Sequence, residues 1–381
     1  MPALTYTNPK RRSEFAWLDT LRFMAALMVV AAHVRATTFQ VYAALPTDQK
    51  TPWAQLFYML TRIGNEAVIL FFVISGFLVG GPALQRLAQR SFRLQDFAID
   101  RLTRIMVPLV PALVWTAAVA YFVGQDPKAS QIFGNMFGLQ GVLVETISSN
   151  RPLWSLSYEI WFYALIFGLG WWLMARVRAC LGGLSLILVA LVFTELTPIY
   201  LFCWLIGVAA FLGRSDRRSQ PILLLSVMTV VASIAIIEIQ YGSVSVGSAT
   251  MRILQVWTPH QDAGRILLSF GFALLIQQLI LRPPVGIGLR RLHRLGTWGA
   301  RFSFSLYLVH FPLLILLSFF GVLPSIQFDQ KSVGTFFALV ASCIFFGWIF
   351  YQFTERYTDG CRRWLRQYLQ RDLSNDKRGL E

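Results

Sequence analysis

Along the chain, hydrophobic residues gather in long runs separated by short polar stretches. They neither alternate with polar residues as in a strand nor recur at the spacing of a half-buried helix. A hydrocarbon layer roughly 30 Å thick is crossed by a helix of about 20 mostly apolar residues, so each such run bounded by charge, Pro or Gly predicts a membrane span. Ten occur, from Leu21 to Val41, Ala67 to Leu84, Ile105 to Gly124, Ser155 to Ala175, Cys180 to Thr194, Pro198 to Gly213, Pro221 to Ile239, Ile266 to Leu281, Phe302 to Val322 and Val333 to Phe353. The pattern predicts an all-α, polytopic integral membrane protein of about ten transmembrane helices. Ile132 to Val144 is apolar but too short and Gly-interrupted to span, and reads as an interfacial or re-entrant piece. After the last span, Tyr357, Cys361, Trp364, Leu365 and Tyr368 recur at helical spacing among arginines. That suits an amphipathic helix on the inner membrane surface, and equally a basic stop-transfer flank. The expected organisation is a tail over residues 1–14, a membrane domain over 15–354 and a basic tail over 355–381.

Composition agrees and adds an orientation. Of 381 residues, 56% are hydrophobic and 14% charged, which excludes a water-soluble globule or a disordered chain. The 34 Lys+Arg against 19 Asp+Glu give a net charge of +15, which alone would suggest a nucleic-acid partner. Their distribution gives another reason. With the N-terminus inside, 26 basic residues fall in cytoplasmic segments and 8 on the other face, as the positive-inside rule requires. Both termini are therefore expected to be cytoplasmic, and no nucleic-acid partner is implied. Lys10-Arg11-Arg12 before an apolar stretch resembles a secretory signal, but that stretch is of span length and Asp19 and Arg22 interrupt the region. The four cysteines are too scattered for a disulfide or metal spacing, and no metal is expected.

Ionisable groups inside spans are costly and mark function. Arg22 and His33 are eleven residues apart, about 1100° of helix, so they share one face at about 16.5 Å separation. Arg22 falls at the cytoplasmic boundary, where snorkelling is the plain alternative, and His33 about halfway across, where helix packing is. Glu159, in Trp154-Ser155-Leu156-Ser157-Tyr158-Glu159, falls in the outer half of the fourth span. A His33–Glu159 couple would raise the basicity of the imidazole toward a hydroxyl; a structural ion pair of Glu159 with Arg35 or Arg151 is the alternative. Arg101 and Arg104, one turn apart at the start of the third span, could grip phosphates or simply mark the cytoplasmic side. Ser75 precedes Gly76 in an apolar span, and Tyr307 and His310 are neighbours on one face of the ninth. Signatures for nucleotide hydrolysis, dinucleotide binding or zinc chemistry do not occur in the sequence.

Trp17-Leu-Asp-Thr-Leu-Arg22 running to His33, Phe71-Phe-Val-Ile-Ser-Gly-Phe-Leu78, Arg101-Leu-Thr-Arg104 with Pro108, Trp154-Ser-Leu-Ser-Tyr-Glu159, and Ser303-Phe-Ser-Leu-Tyr307-Leu-Val-His310 with Pro312 closely resemble, in series, the motifs of the acyltransferase-3 family. The resemblance runs from about Phe15 to Arg356. It implies a multi-pass enzyme of the bacterial cytoplasmic (inner) membrane that moves an acyl group, usually acetyl, from cytoplasmic acyl-CoA to a hydroxyl of a lipid-linked or surface glycan such as O-antigen or exopolysaccharide. Carried over, Arg22 and His33 occupy the Arg-x10-His motif, Arg101 and Arg104 the Arg-x-x-Arg motif, Glu159 the carboxylate position, and Tyr307 and His310 the late Tyr-x-x-His element. His33 and Glu159 are then the expected catalytic pair. Arg22, Arg101, Arg104, Ser75, Ser155, Ser157, Tyr307 and His310 are the expected substrate or acyl-CoA-binding residues. Many members have an acidic residue where this chain has Ile69, and many append an SGNH-type domain not expected here. A transporter or flippase of a lipid-linked saccharide is the rival reading.

Overall fold

The computed structural model describes residues 16–174, 179–242 and 261–378; the expected tail 1–14, and Arg176, Arg178 and Arg252 of the charge distribution, lie outside the described residues. Among the described residues there are helices and turns but no strand. In chain order the helices are α1 (Ala16–Thr38), α2 (Pro52–Arg62), α3 (Gly64–Ser75), α4 (Gly81–Ala88), α5 (Leu94–Phe122), α6 (Ala129–Met136), α7 (Trp154–Met174), α8 (Ala179–Glu195), α9 (Ile199–Leu212), α10 (Gln220–Gly242), α11 (Gln261–Ile280), α12 (Ile287–Ala300), α13 (Ser303–Phe319), α14 (Gln330–Phe353) and α15 (Thr358–Arg378).

Each of the ten predicted spans coincides with a helix, but fewer are long and apolar enough to cross a bilayer unaided. Six stretches qualify, Trp17–Thr38, Pro52–Ala88, Leu94–Phe122, Gln220–Ile239, Gln261–Ile280 and Gln330–Gln370, and the bent pair α12–α13 makes a seventh. The fifth and sixth predicted spans, α8 and α9, are apolar but short at 17 and 14 residues. The fourth, α7, has 21 residues, about 31 Å of helix, and its Trp, Tyr and Ser content lowers its apolarity.

The chain forms two compact units. The first comprises residues 1–82, 197–303 and 320–341. Here helices approach closely because glycines remove the side chains between them. A β-carbon on Gly64 would lie 2.7 Å from that of Ala32, which seats α3 against α1. Gly296 and Gly299 of α12 lie against Thr20 and Phe23 of α1. That contact is extended by a 2.9 Å hydrogen bond between Thr20 Oγ1 and His293 Nδ1, and by Trp17, which packs on the His293 ring and donates to the Arg282 carbonyl at 2.7 Å. Between α3 and α4 the chain widens to a π turn over Gly76–Gly80. Gly76 there abuts the backbone of Trp204 in α9, and Gly207 of α9 abuts the backbone of Val73 in α3. Asp329 caps α14; hydrogen bonds from the Ser332 amide and hydroxyl hold its carboxyl below the usual carboxylate range.

The second unit comprises residues 83–196, 304–319 and 342–381. Its axis is α5, 29 residues long with Pro108 and Pro111 inside it. The helix begins eleven residues before the predicted start at Ile105, because its first three turns are amphipathic rather than apolar: Phe97, Ile99 and Thr103 are buried while Asp96 and Asp100 pair with arginines of α15. Arg362 reaches Asp100 at 3.2 Å, and Arg366 reaches Asp100 at 2.7 Å and Asp96 at 3.8 Å. The C-terminal segment is a helix whose side toward α5 is ionic, while Trp364 and Tyr368 stack on each other and stay exposed. The apolar segment read as interfacial forms the short α6 and a turn in which Gly138 and Gly141 take φ of +71° and +80°, conformations that favour glycine. The Ser157 hydroxyl (2.6 Å) and Trp161 indole (2.8 Å) both donate to the Gly138 carbonyl and tie this turn to α7.

Because the neighbour of Gly207 is backbone, it cannot swing aside. Gly207→Val is expected to destabilise the folded protein by about 2 kcal/mol through overpacking. Thermal unfolding monitored by size exclusion in detergent measures this; an unchanged midpoint would contradict the close crossing.

Candidate functional site

The expected site residues divide between the units. Arg22, His33 and Ser75 belong to the first, and Arg101, Arg104, Ser155, Ser157, Glu159, Tyr307 and His310 to the second.

In the first unit, Arg22 and His33 lie on α1 with the face-sharing spacing read from the sequence, and His33 is partly buried. Arg22 stands 3.5 Å from Asp19 one turn earlier, with its side chain 25% exposed, so its guanidinium keeps donors for another partner. Ser75 ends α3 where the π turn starts, and among the described residues its buried hydroxyl has no hydrogen-bond partner.

In the second unit the charges cluster. Because α5 starts at Leu94, Arg101 and Arg104 lie about 10 and 15 Å inside the helix rather than at its end. Arg104 pairs with Glu355, a buried carboxylate just beyond α14, and lies 5.2 Å over the Phe304 ring. The other Glu355 oxygen accepts from the Ser305 amide at 3.1 Å and hydroxyl at 2.8 Å. Three donors therefore satisfy one carboxylate and join α5, α13 and the end of α14. Arg101 is placed differently. Its guanidinium lies 5.5 Å from the centre of the Tyr163 ring, and among the described residues its buried Nε has no hydrogen-bond partner. The Tyr163 hydroxyl donates to Glu159 at 2.5 Å, and Glu159 in turn acts electrostatically on Arg104. Glu159 thus joins the arginine pair through Tyr163, whereas the sequence reading had offered Arg35 or Arg151 as its alternative partners.

Tyr307, Ser155 and His310 form a second buried group. Tyr307 donates to the Pro152 carbonyl and shares a 2.6 Å hydrogen bond with Ser155. His310 is fully buried, and its Nδ1 lies 2.8 Å from the Tyr307 carbonyl and 3.1 Å from that of Leu306. Carbonyls only accept, so Nδ1 carries the proton and a neutral ring presents Nε2 as its basic nitrogen. Ser157 donates to the Gly138 carbonyl of the α6 turn, and Ser155 fastens Tyr307. Asn150, overlooked in the sequence, bridges Thr116 Oγ1 at 3.0 Å and the Leu308 carbonyl at 2.9 Å and fixes the approach to the Trp-Ser-Leu-Ser segment.

This series of polar residues on apolar helices agrees with the family comparison, in which the acyltransferase-3 model, described as an acyltransferase domain, matches residues 15–352. The chain belongs to the acyltransferase-3 family. It is also similar to Acyltransferase MdmB of Streptomyces mycarofaciens, 26% identical over an alignment covering 80% of each chain. No solved structure matches. As an acyltransferase, the protein needs an acyl donor.

Sequence reasoning also missed Glu355, the carboxylate that holds Arg104. The signal was a carboxylate directly after a span, within an otherwise basic flank. Truncating Arg104 leaves that carboxylate buried without its cation, so Arg104→Ala should cost on the order of 3 kcal/mol of stability. The combined Arg104→Ala, Glu355→Gln protein should recover at least half of that loss in a thermal-unfolding comparison. Additive losses would refute the coupling.

Proposed function

We propose that this membrane acyltransferase takes an acyl group, acetyl in the first instance, from cytoplasmic acyl-CoA and transfers it to a hydroxyl of an extracytoplasmic or lipid-linked saccharide, in the bacterial inner membrane. The observation that carries the reading is Arg101. A guanidinium about two turns inside a span-forming helix, resting on an aromatic ring and, among the described residues, without a carboxylate partner, is a cation in want of an anion. Arg86 of α4 is close enough to act on it electrostatically, which adds positive potential. The phosphates of the CoA moiety supply such an anion. In this reading Arg104 is the positioned member of the pair, held by Glu355.

His33 is the general base. It takes the proton of the acceptor hydroxyl as that oxygen attacks the thioester carbonyl, and the carbon–sulfur bond then breaks. The leaving thiolate receives the proton, so the products are an ester and free CoA. Transfer through an acyl-His33 intermediate has the same overall balance. Glu159 accepts from the Tyr163 hydroxyl, which fixes that ring beneath Arg101.

Two measurements on the purified protein in lipid nanodiscs test the reading, with radiolabelled acetyl-CoA as donor. His33→Ala should lower acyl transfer by at least a hundredfold with normal folding, and retained transfer would refute the general-base role. Arg101→Ala should raise KM for acetyl-CoA by about tenfold, the loss of one charge-assisted contact of about 1.4 kcal/mol, with a much smaller effect on kcat. An unchanged KM would remove Arg101 from the donor site.

A further inference from the structure

The first unit holds a second set of ionisable side chains that the donor arginines and His33 do not account for. They lie on α1, α2, α3, α10 and α11. Glu66, in the first turn of α3, is only 5% exposed, although the predicted second span began one residue after it. Arg62 of α2 meets Glu238 of α10 at 3.3 Å, and Arg265 of α11 meets Asp262 at 2.7 Å. Glu66 interacts electrostatically with Arg62, Arg265 and Glu238, and Arg35 with Arg62 and Glu238. Two of the guanidiniums lie over tyrosine rings, Arg35 5.6 Å from Tyr58 and Arg265 5.8 Å from Tyr200. Arg35 Nε is buried and, among the described residues, has no hydrogen-bond partner.

Three properties of this group point to a ligand and to its chemistry. Six charges gather near the ends of helices that form membrane spans, where ionisable groups are candidates for a substrate path. Three guanidiniums balance three carboxylates, so the group selects neither an anion nor a cation. What it offers is a dense array of paired donors and acceptors, including one unused donor. A saccharide hydroxyl both donates and accepts, and adjacent hydroxyls on a ring match a carboxylate on one side and a guanidinium fork on the other. The group is also tied to the helix of His33, since the close approach of Gly64 to Ala32 seats the start of α3 against the residue that precedes His33.

We infer that Glu66, Glu238, Arg35, Arg62 and Arg265 form a hydroxyl-binding subsite for a polyhydroxylated acceptor of the acyl-transfer reaction. The inference rests on the acyl-transfer reading above and assigns the acceptor side of that site.

The test uses the full chain in lipid nanodiscs, acetyl-CoA as donor, and two probe acceptors that share an alkyl chain, n-octyl β-D-glucoside and n-octanol. The protein should acetylate the glucoside at least tenfold faster than octanol. Glu66→Gln and, separately, Glu238→Gln should lower that ratio at least fivefold; a merely structural role would lower both rates together and leave the ratio where it was. Should Glu66→Gln not fold, Glu238→Gln and Arg35→Gln decide the question by the same ratio. A protein without preference for the glucoside, or variants with an unaltered ratio, would overturn the inference. His33→Ala separates the two levels: transfer to octanol that survives in that variant refutes the general-base reading and leaves the subsite standing.

Discussion

A carboxylate buried at the edge of a hydrocarbon layer must be neutralised within the protein, and the second unit is organised around one. Glu355 accepts from the Arg104 guanidinium and from the Ser305 amide and hydroxyl. This arrangement fixes the height of Arg104 on α5, and with it the height of Arg101 one turn away. It also fixes α13, whose Tyr307 and His310 follow Ser305 by two and five residues. The same α5 is gripped near its start by Arg362 and Arg366 of α15. The ionic contacts therefore run along one helix from its first turn to Arg104.

The first unit uses a different device. Its helices pass backbone to backbone at Gly76 and Gly207 and nearly so at Gly64 and Gly296, while Gly299 seats the Phe23 ring. In lipid, where apolar side chains gain little by leaving the solvent, such close approach supplies the packing contact that holds helices together. It also sets the position of α1, which carries Arg22 toward one end and His33 and Arg35 toward the other.

Much of this was legible in the chain. Long apolar runs marked ten helices because burying backbone polar groups in lipid leaves few alternatives to a helix. The serial motifs marked Arg22, His33, Arg101, Arg104, Glu159, Tyr307 and His310, and the family match bears out that resemblance. What hydropathy could not mark were the amphipathic turns before a span. Leu94 to Arg104 looked like a basic loop because its two aspartates, Asp96 and Asp100, are satisfied by arginines of α15, a pairing across more than 260 residues. Glu66 was lost for the converse reason: it sits one residue outside the apolar run and was counted with the loop. Ser155 and Ser157 share a short motif with Glu159, yet successive positions on a helix point in different directions. Spacing alone did not say that one would hold Tyr307 and the other Gly138.

The prolines of α5 have a mechanical corollary. Pro108 and Pro111 lack amide hydrogens, so the helical carbonyls of Arg104 and Val107 lose their usual partners four residues on. Two rungs of the hydrogen-bond ladder are missing immediately beyond the arginines. The segment before this gap is tethered by ion pairs to α15 and Glu355, so side-chain contacts hold Arg104 at its height where the backbone ladder is thinned.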